Sequence, residues 1–282
     1  MKMAVIGCGL IGGSMALSWK RAGIVDEVIA FGHNPATLQK ALDKGAADTV
    51  TTSMEEAVKD ADIVVSAVPV EAMESVFTEM APFLKSDAVV TDVGSTRQTV
   101  IAAARKGLGD KFHQYAPAHP IAGGEMPGVD YASADLFDEK VVISTPDEGM
   151  DPKVVTFIEE AWRKAGARVQ AMSPLQHDLT FASVSHLPHV LAYALVDMIA
   201  REENAQEKLK MAGAGFRDFT RIASSSPVMW RDICLSNREA LSHELKRYRA
   251  SLDTLDESDG KALESVFENA VRNRRGLVFP GK

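Results

Sequence analysis

His119 sits in the run AHPIAGGEMPG, beside a proline and several glycines. Such a run holds an imidazole on a rigid, irregular loop and not on an amphipathic face, and a group that titrates near neutrality is suited there to moving a proton. Upstream, Asp92-Val93-Gly94-Ser95 closes an apolar run and offers a hydroxyl at Ser95. Ser95 has two compatible roles, contact with a ligand or N-cap of a helix expected over 97–106. In the second half, Ser185-His186-Leu187-Pro188-His189 interrupts a helical pattern. A proline removes a backbone donor and disturbs the preceding turn, so polar side chains beside it can turn inward. By context alone, each of His186 and His189 reads more readily as structural than as catalytic. His113 and His243 have no supporting context at all. Further on, Arg217 and Arg221 share one helix face, four residues apart. A guanidinium matches a carboxylate in bidentate geometry. A surface ion pair with Asp218 or Asp232 is the equal alternative.

The elements that must position these groups follow from periodicity. From Met1 to about Pro146, short β-branched runs alternate with helical stretches, the pattern of repeated βαβ units on a parallel sheet. Strands are expected at 3–6, 27–31, 63–67, 88–92, near 114–117, and at 141–144. A helix over 151–165 leads through Gly166 to a last strand at 167–171, and Ser173-Pro174 marks a boundary. Beyond it, helical periodicity takes over. The expected architecture is thus α/β, with a Rossmann-like doubly wound parallel sheet over residues 1–172 and an all-helical domain over 173–282. Within the latter, 190–200 is apolar nearly all round with Asp197 its one charge, so a small domain would leave it uncovered and a second subunit is expected to bury it.

The segment AVIGCGLIGGSMALSWKRAG places Gly7, Gly9 and Gly12 between the first strand and a helix. In a dinucleotide-binding turn the three serve a tight turn, close approach of pyrophosphate, and helix–strand packing, and the diphosphate lies on the helix N-terminus. Leu10 and Ile11 fall in the same turn, and Val68-Pro69 follows the third expected strand. Those strand ends face a ligand in an open parallel sheet. The second strand ends Phe31-Gly32-His33-Asn34, with no acid to bond the ribose hydroxyls of NAD. Gly32 together with His33 and Asn34 therefore points to NADP in preference to NAD, with His33 and Asn34 alternatively simple turn residues before Pro35.

Composition closes off other classes. The 282 residues are 46% hydrophobic with a formal charge of −8, which argues against a general nucleic-acid binder. Cys8 and Cys234 have neither disulfide nor zinc-site spacing, and no metal site is expected. The start MKMAVIG is too short for a signal-peptide core, and no uncharged apolar stretch of membrane-spanning length stands out. A cytoplasmic protein is the expectation.

Taken together, the glycine loop, DVGST, HPIAGGE, SHLPH, GFRDFTRIA and PVMWRDI resemble the prephenate/arogenate dehydrogenase family of tyrosine biosynthesis, in order and along nearly the whole chain. The form resembled is the monofunctional one, without a mutase extension or a regulatory domain. The resemblance implies oxidative decarboxylation of a cyclohexadienol. In that scheme His119 takes the hydroxyl proton, Ser95 orients hydroxyl and imidazole, and Arg221 holds a substrate carboxylate. His186 is a second substrate contact with His189 as the alternative, Glu125 gates the site or pairs with Arg217, and Trp230 packs at the rim. A β-hydroxyacid dehydrogenase or imine reductase would share the scaffold, but the former resemble one another in a lysine on the long helix, and no lysine lies between Gln176 and Arg201. A non-catalytic dinucleotide sensor is the reading from another class.

Overall fold

The computed structural model describes residues 1–124 and 126–277. Among them an eight-stranded sheet runs in the order β3-β2-β1-β4-β5-β6-β7-β8. The strands are β1 (Lys2–Ile6), β2 (Glu27–Phe31), β3 (Thr49–Thr51), β4 (Ile63–Ser66), β5 (Val89–Asp92), β6 (Tyr115–Pro120), β7 (Val141–Ser144) and β8 (Arg168–Ala171). Helices α1 (Leu10–Arg21), α2 (Pro35–Asp43), α3 (Met54–Val58), α4 (Met73–Met80), α5 (Gln98–Leu108) and α6 (Pro152–Lys164) cover its two faces. The second half is helical: α7 (Pro174–Phe181), α8 (Leu187–Ala200), α9 (Ala205–Lys210), α10 (Ala214–Thr220), α11 (Pro227–Ser236), α12 (Arg238–Asp256) and α13 (Gly260–Gly276).

Strands flanked by helices on both sides must be apolar on both sides, and β1 shows it. Met3 and Val5 join one buried cluster with Trp19, Val28 and Trp162. Ala4 and Ile6 face the opposite cluster with Phe77, Val90 and Tyr115. On the first face Trp162 is met edge-on by Trp19 and Phe137, at centroid distances of 5.6 and 4.9 Å.

Two elements depart from the sequence reading. The edge strand β3 pairs in parallel with β2, but Thr-Val-Thr is too short and too polar to register as an apolar run. And β7 runs antiparallel to β6, so the sheet is mixed. The chain between them contains one short 3₁₀ turn, Val129–Tyr131. Parallel return needs a crossover, usually a helix, and the described residues of this connection form no α-helix.

Helices α7 and α8 are one continuous run from Pro174 to Ala200, joined by a π turn over Ala182–His186. Pro188 has no N–H to donate to the carbonyl four residues back, and the widened turn just ahead of it is how the helix continues past that loss. SHLPH therefore bulges the helix without ending it. By length and hydropathy this run would suffice to cross a bilayer, although Asp178 and Asp197 keep it from being an uncharged stretch. It also carries buried His177, Asp178 and His186 against the sheet domain. Its far side is bare: within α8 only Ala192 is buried.

Candidate active site

The sheet order reverses between β1 and β4, and that switch point opens the crevice in which ligands of such sheets lie. Gly7 follows β1 with φ of +92°, a conformation that L side chains rarely adopt, and a Cβ there would stand 2.8 Å from the Ala67 carbonyl oxygen. A Cβ on Gly12 would lie 2.6 Å from the carbonyl oxygen of Gly7 and 2.9 Å from the Ala67 Cβ. Gly9, the residue before α1, meets nothing within 4 Å. Two glycines thus let strand and helix close on each other, and the third leaves backbone open at a helix N-terminus, where free N–H groups and the dipole favour a diphosphate. The residues present fit a dinucleotide: Gly9 through Gly12 would hold its diphosphate.

The cavity in front of this turn has a volume of about 600 Å³. Leu10, Ile11, Val68, Pro69, Gly94, Ser95 and His119 line it from the sheet side, and Ser185, His186, Ser225, Met229, Trp230 and Asp232 from the helical side. Gly32, His33 and Asn34 stand outside it at the end of β2. The Asn34 side chain accepts N–H bonds from Ala36 and Thr37 and so caps α2, leaving its amide donors for any ligand. Gly32 has no left-handed φ, and a Cβ there would meet Leu38 Cδ2 at an ordinary 3.4 Å. Neither backbone nor packing demands glycine at 32.

His119, on β6, faces the cavity. Its Nδ1 lies 2.8 Å from His177 Nε2, and His177 Nδ1 lies 2.9 Å from Asp178 Oδ1. The same carboxylate accepts the backbone N–H groups of Arg97 (2.7 Å) and Gln98 (2.9 Å). The cap of α5 is therefore supplied from α7, and Ser95 does not cap that helix. It lines the cavity instead. Burial opposes the charge of Asp178, but the hydrogen bonds from His177, Arg97 and Gln98 outweigh it and hold the carboxyl below its usual range. Burial pushes His119 well below the ordinary histidine value, with His177, Arg97 and His186 adding to the effect, so its resting imidazole is neutral.

Behind His119 lies a fully buried ion pair. Arg97 Nη2 donates to Asp92 Oδ2 at 2.7 Å and Nη1 to the Ala118 carbonyl at 3.0 Å. Asp92 also accepts from the Tyr115 hydroxyl (2.6 Å) and the Gly94 N–H (2.7 Å). One arginine thereby ties the end of β5, the Ser95 loop and the residue before His119 together.

The structure separates the two histidines of SHLPH. His186 lines the cavity, its Nδ1 lies 3.2 Å from the Asn237 amide, and burial pushes its pKa down to about 4. An amide donor at Nδ1 leaves the proton of the neutral ring on Nε2, as a donor. His189 stacks on Trp230, with ring centroids 3.6 Å apart, and its Nδ1 donates to the Ser185 carbonyl, so it backs the indole that lines the cavity. Arg217, on α10, and Arg221, at its end, are exposed and outside the lining. Arg221 still lies near enough to oppose protonation of His189. Asp232 pairs with Arg231. Glu125 falls outside the described residues. Four buried groups escaped the sequence reading: Arg97, His177, Asp178 and Asn237. The adjacent His177-Asp178, just inside a helix capped by Ser173, was the signal available for two of them.

A glycine turn at the switch point of an open sheet, facing a histidine across a cavity closed by a helical domain, defines a nicotinamide-dinucleotide oxidoreductase. The family model for the nucleotide-binding domain of prephenate dehydrogenase matches residues 15–171, and that for its dimerization domain matches 173–265. The cyclohexadienyl dehydrogenase of Zymomonas mobilis is 36% identical, over 98% of this chain and 95% of its own length. The prephenate dehydrogenase of Bacillus subtilis is 34% identical, over 98% of this chain and 76% of its own. The structure of prephenate dehydrogenase from Aquifex aeolicus in complex with hydroxyphenyl propionate and NAD+ superposes with a TM-score of 0.90 at 34% identity, covering 98% of each chain. The chain belongs to the prephenate dehydrogenase family.

Proposed function

We propose that the protein catalyses the oxidative decarboxylation of prephenate or arogenate to 4-hydroxyphenylpyruvate or tyrosine, in the cytoplasm, where its two free cysteines stay reduced. The observation that carries this reading is His119, facing the cavity as a neutral imidazole opposite the dinucleotide turn. A dinucleotide held on the Gly9 to Gly12 turn would supply the hydride acceptor for C4 of the cyclohexadienol. His119 Nε2 takes the C4 hydroxyl proton as the carbonyl forms. Loss of the C1 carboxylate as carbon dioxide sends its bonding pair into the ring, and His119 returns the proton to the phenolate oxygen. Ser95 orients the hydroxyl, and the His186 Nε2–H donates to the substrate. Trp230 and Met229 exclude water from the reacting face, since both line it. Arg221 meets a substrate carboxylate from the rim, beside His189, with Arg217 next in line. The test is reduced-cofactor production by purified protein with prephenate and with arogenate; no turnover of either overturns the assignment.

We further propose NADP over NAD. An acid at the end of β2 would bond the ribose hydroxyls of NAD and repel the 2′-phosphate, and Gly32 does neither. Because a Cβ fits at 32, Gly32→Asp is expected to fold normally and to move kcat/KM towards NAD by about tenfold or more, the scale of one charged contact. A native preference for NAD, or unmoved selectivity in the variant, refutes this reading of the turn.

The helical domain is proposed to pair with a second copy. Helix α8 buries only Ala192, and α13 buries none of its residues. Leu175, Val184, Met198, Phe267 and Val271 are between 46% and 67% exposed, apolar side chains that a second copy would take out of water. Light scattering at micromolar concentration is expected to return twice the 30.4 kDa chain mass; a mass of one chain rejects it.

A further inference from the structure

We propose that Asp178 is a positioning residue which, through His177, fixes His119 in the tautomer that carries its proton on Nδ1 and presents bare Nε2 to the cavity. The inference deepens the reaction proposed above, in which Nε2 is the base.

The argument is one of donors and acceptors along a chain of three side chains. Asp178 Oδ1 accepts from the Arg97 N–H and Oδ2 from the Gln98 N–H. An ionised carboxylate can only accept, so at the 2.9 Å contact His177 Nδ1 must donate. Neutral His177 then has a lone pair on Nε2. The 2.8 Å contact from that atom to His119 Nδ1 is satisfied only if His119 donates from Nδ1. One proton per ring is then accounted for, and His119 Nε2 is left as an acceptor. Were Asp178 protonated or absent, both rings could reverse together, and His119 would show the cavity an N–H that cannot accept a hydroxyl proton.

The surroundings hold this polarity. His177 is fully buried and stacks on Phe181, with centroids 4.4 Å apart, so its ring cannot swing away. Facing the pair are Arg97 from the start of α5, Asp92 from β5, and His186 from the π turn. Arg97 is neutralised by Asp92 at 2.7 Å, and burial keeps His186 neutral down to about pH 4. Asp178 is thus the acid that His177 contacts directly. It also joins two parts of the chain, since it lies on α7 and caps α5. Asp178 therefore serves both the contact between the helical and sheet domains, alongside the Thr99 hydroxyl bond to the Ser236 carbonyl, and the polarity of the proposed base.

Asparagine at 178 keeps an oxygen for the α5 cap but can offer His177 an N–H, which reverses the relay. The experiment is ¹⁵N NMR of histidine-labelled full-length protein without substrate, in wild type, Asp178→Asn, His177→Gln and His177→Leu. Wild type is expected to show His119 protonated on Nδ1, and Asp178→Asn to show it protonated on Nε2. His177→Gln keeps an acceptor and preserves the wild-type tautomer; His177→Leu, which leaves the α5 cap untouched, loses it. In parallel, kcat of Asp178→Asn falls by about a hundredfold to ten-thousandfold while KM for the cofactor is unchanged, and His177→Gln recovers part of the loss seen in His177→Leu. Nδ1 protonation of His119 in either Asp178→Asn or His177→Leu overturns the proposal, the leucine variant serving if the asparagine one does not fold. The tautomer is read without turnover, so an inactive wild type would remove the proposed reaction and leave this inference to stand on its spectra.

Discussion

Replacing His119 by asparagine is expected to lower turnover by about two to four orders of magnitude, the scale for loss of a positioned acid–base group. Asparagine retains a side chain that can donate to His177 Nε2 in place of the ring, so the loop keeps its anchor. What it lacks is a lone pair basic enough to take the substrate hydroxyl proton. Cofactor affinity is expected to stay within a fewfold of wild type, because the Gly9 to Gly12 turn that would hold the diphosphate lines a part of the cavity separate from the His119 loop. The wild-type pH profile carries the same signature. With the His119 pKa held well below its ordinary value by burial and by its neighbours, the base is free at neutral pH. The acidic limb of kcat/KM, where the proposed base becomes protonated, should therefore fall only once the pH drops below the usual histidine range. More than about a tenth of wild-type turnover in His119→Asn would remove His119 as the base.

The largest loss of stability is expected at Arg97. Its side chain and that of Asp92 are both fully buried, and cutting one member of such a pair leaves the other charge without its partner, at a cost of about 3–5 kcal/mol. Arg97→Met keeps most of the volume and removes the bonds to Asp92 and to the Ala118 carbonyl. The Tyr115 hydroxyl and the Gly94 N–H still reach Asp92, which places the expected loss towards the lower end of that range. The backbone N–H of Arg97 still reaches Asp178, so the α5 cap survives. The denaturant midpoint is the measurement. Adding Asp92→Asn to Arg97→Met should cost less than the sum of the two single changes, because the second no longer strands a charge. Additive losses, or a midpoint unchanged in Arg97→Met, would mean that the pair does not hold β5 and β6 together.

What the sequence determined by itself is whatever is encoded within a short window. The glycine turn was legible because Gly7, Gly9 and Gly12 each answer a local demand of backbone or packing, and the flanking strand and helix fix the direction of the turn. Strands β2 and β7 were legible to the residue, because apolar runs bounded by turn residues have little choice of conformation. His119 stood out through its prolines and glycines. Tertiary structure alone decided who meets whom. His119 and His177 are 58 positions apart, and Arg97 and Asp178 are 81 apart. No periodicity links such positions, since their contact follows from how the helical domain seats on the sheet. The same holds for Arg97, which as a residue type belongs on a surface and is buried here because Asp92 stands beside it. It holds for His186 and His189 as well, equivalent in the motif and three residues apart. The π turn at Ala182–His186 directs the first into the cavity and sets the second behind Trp230.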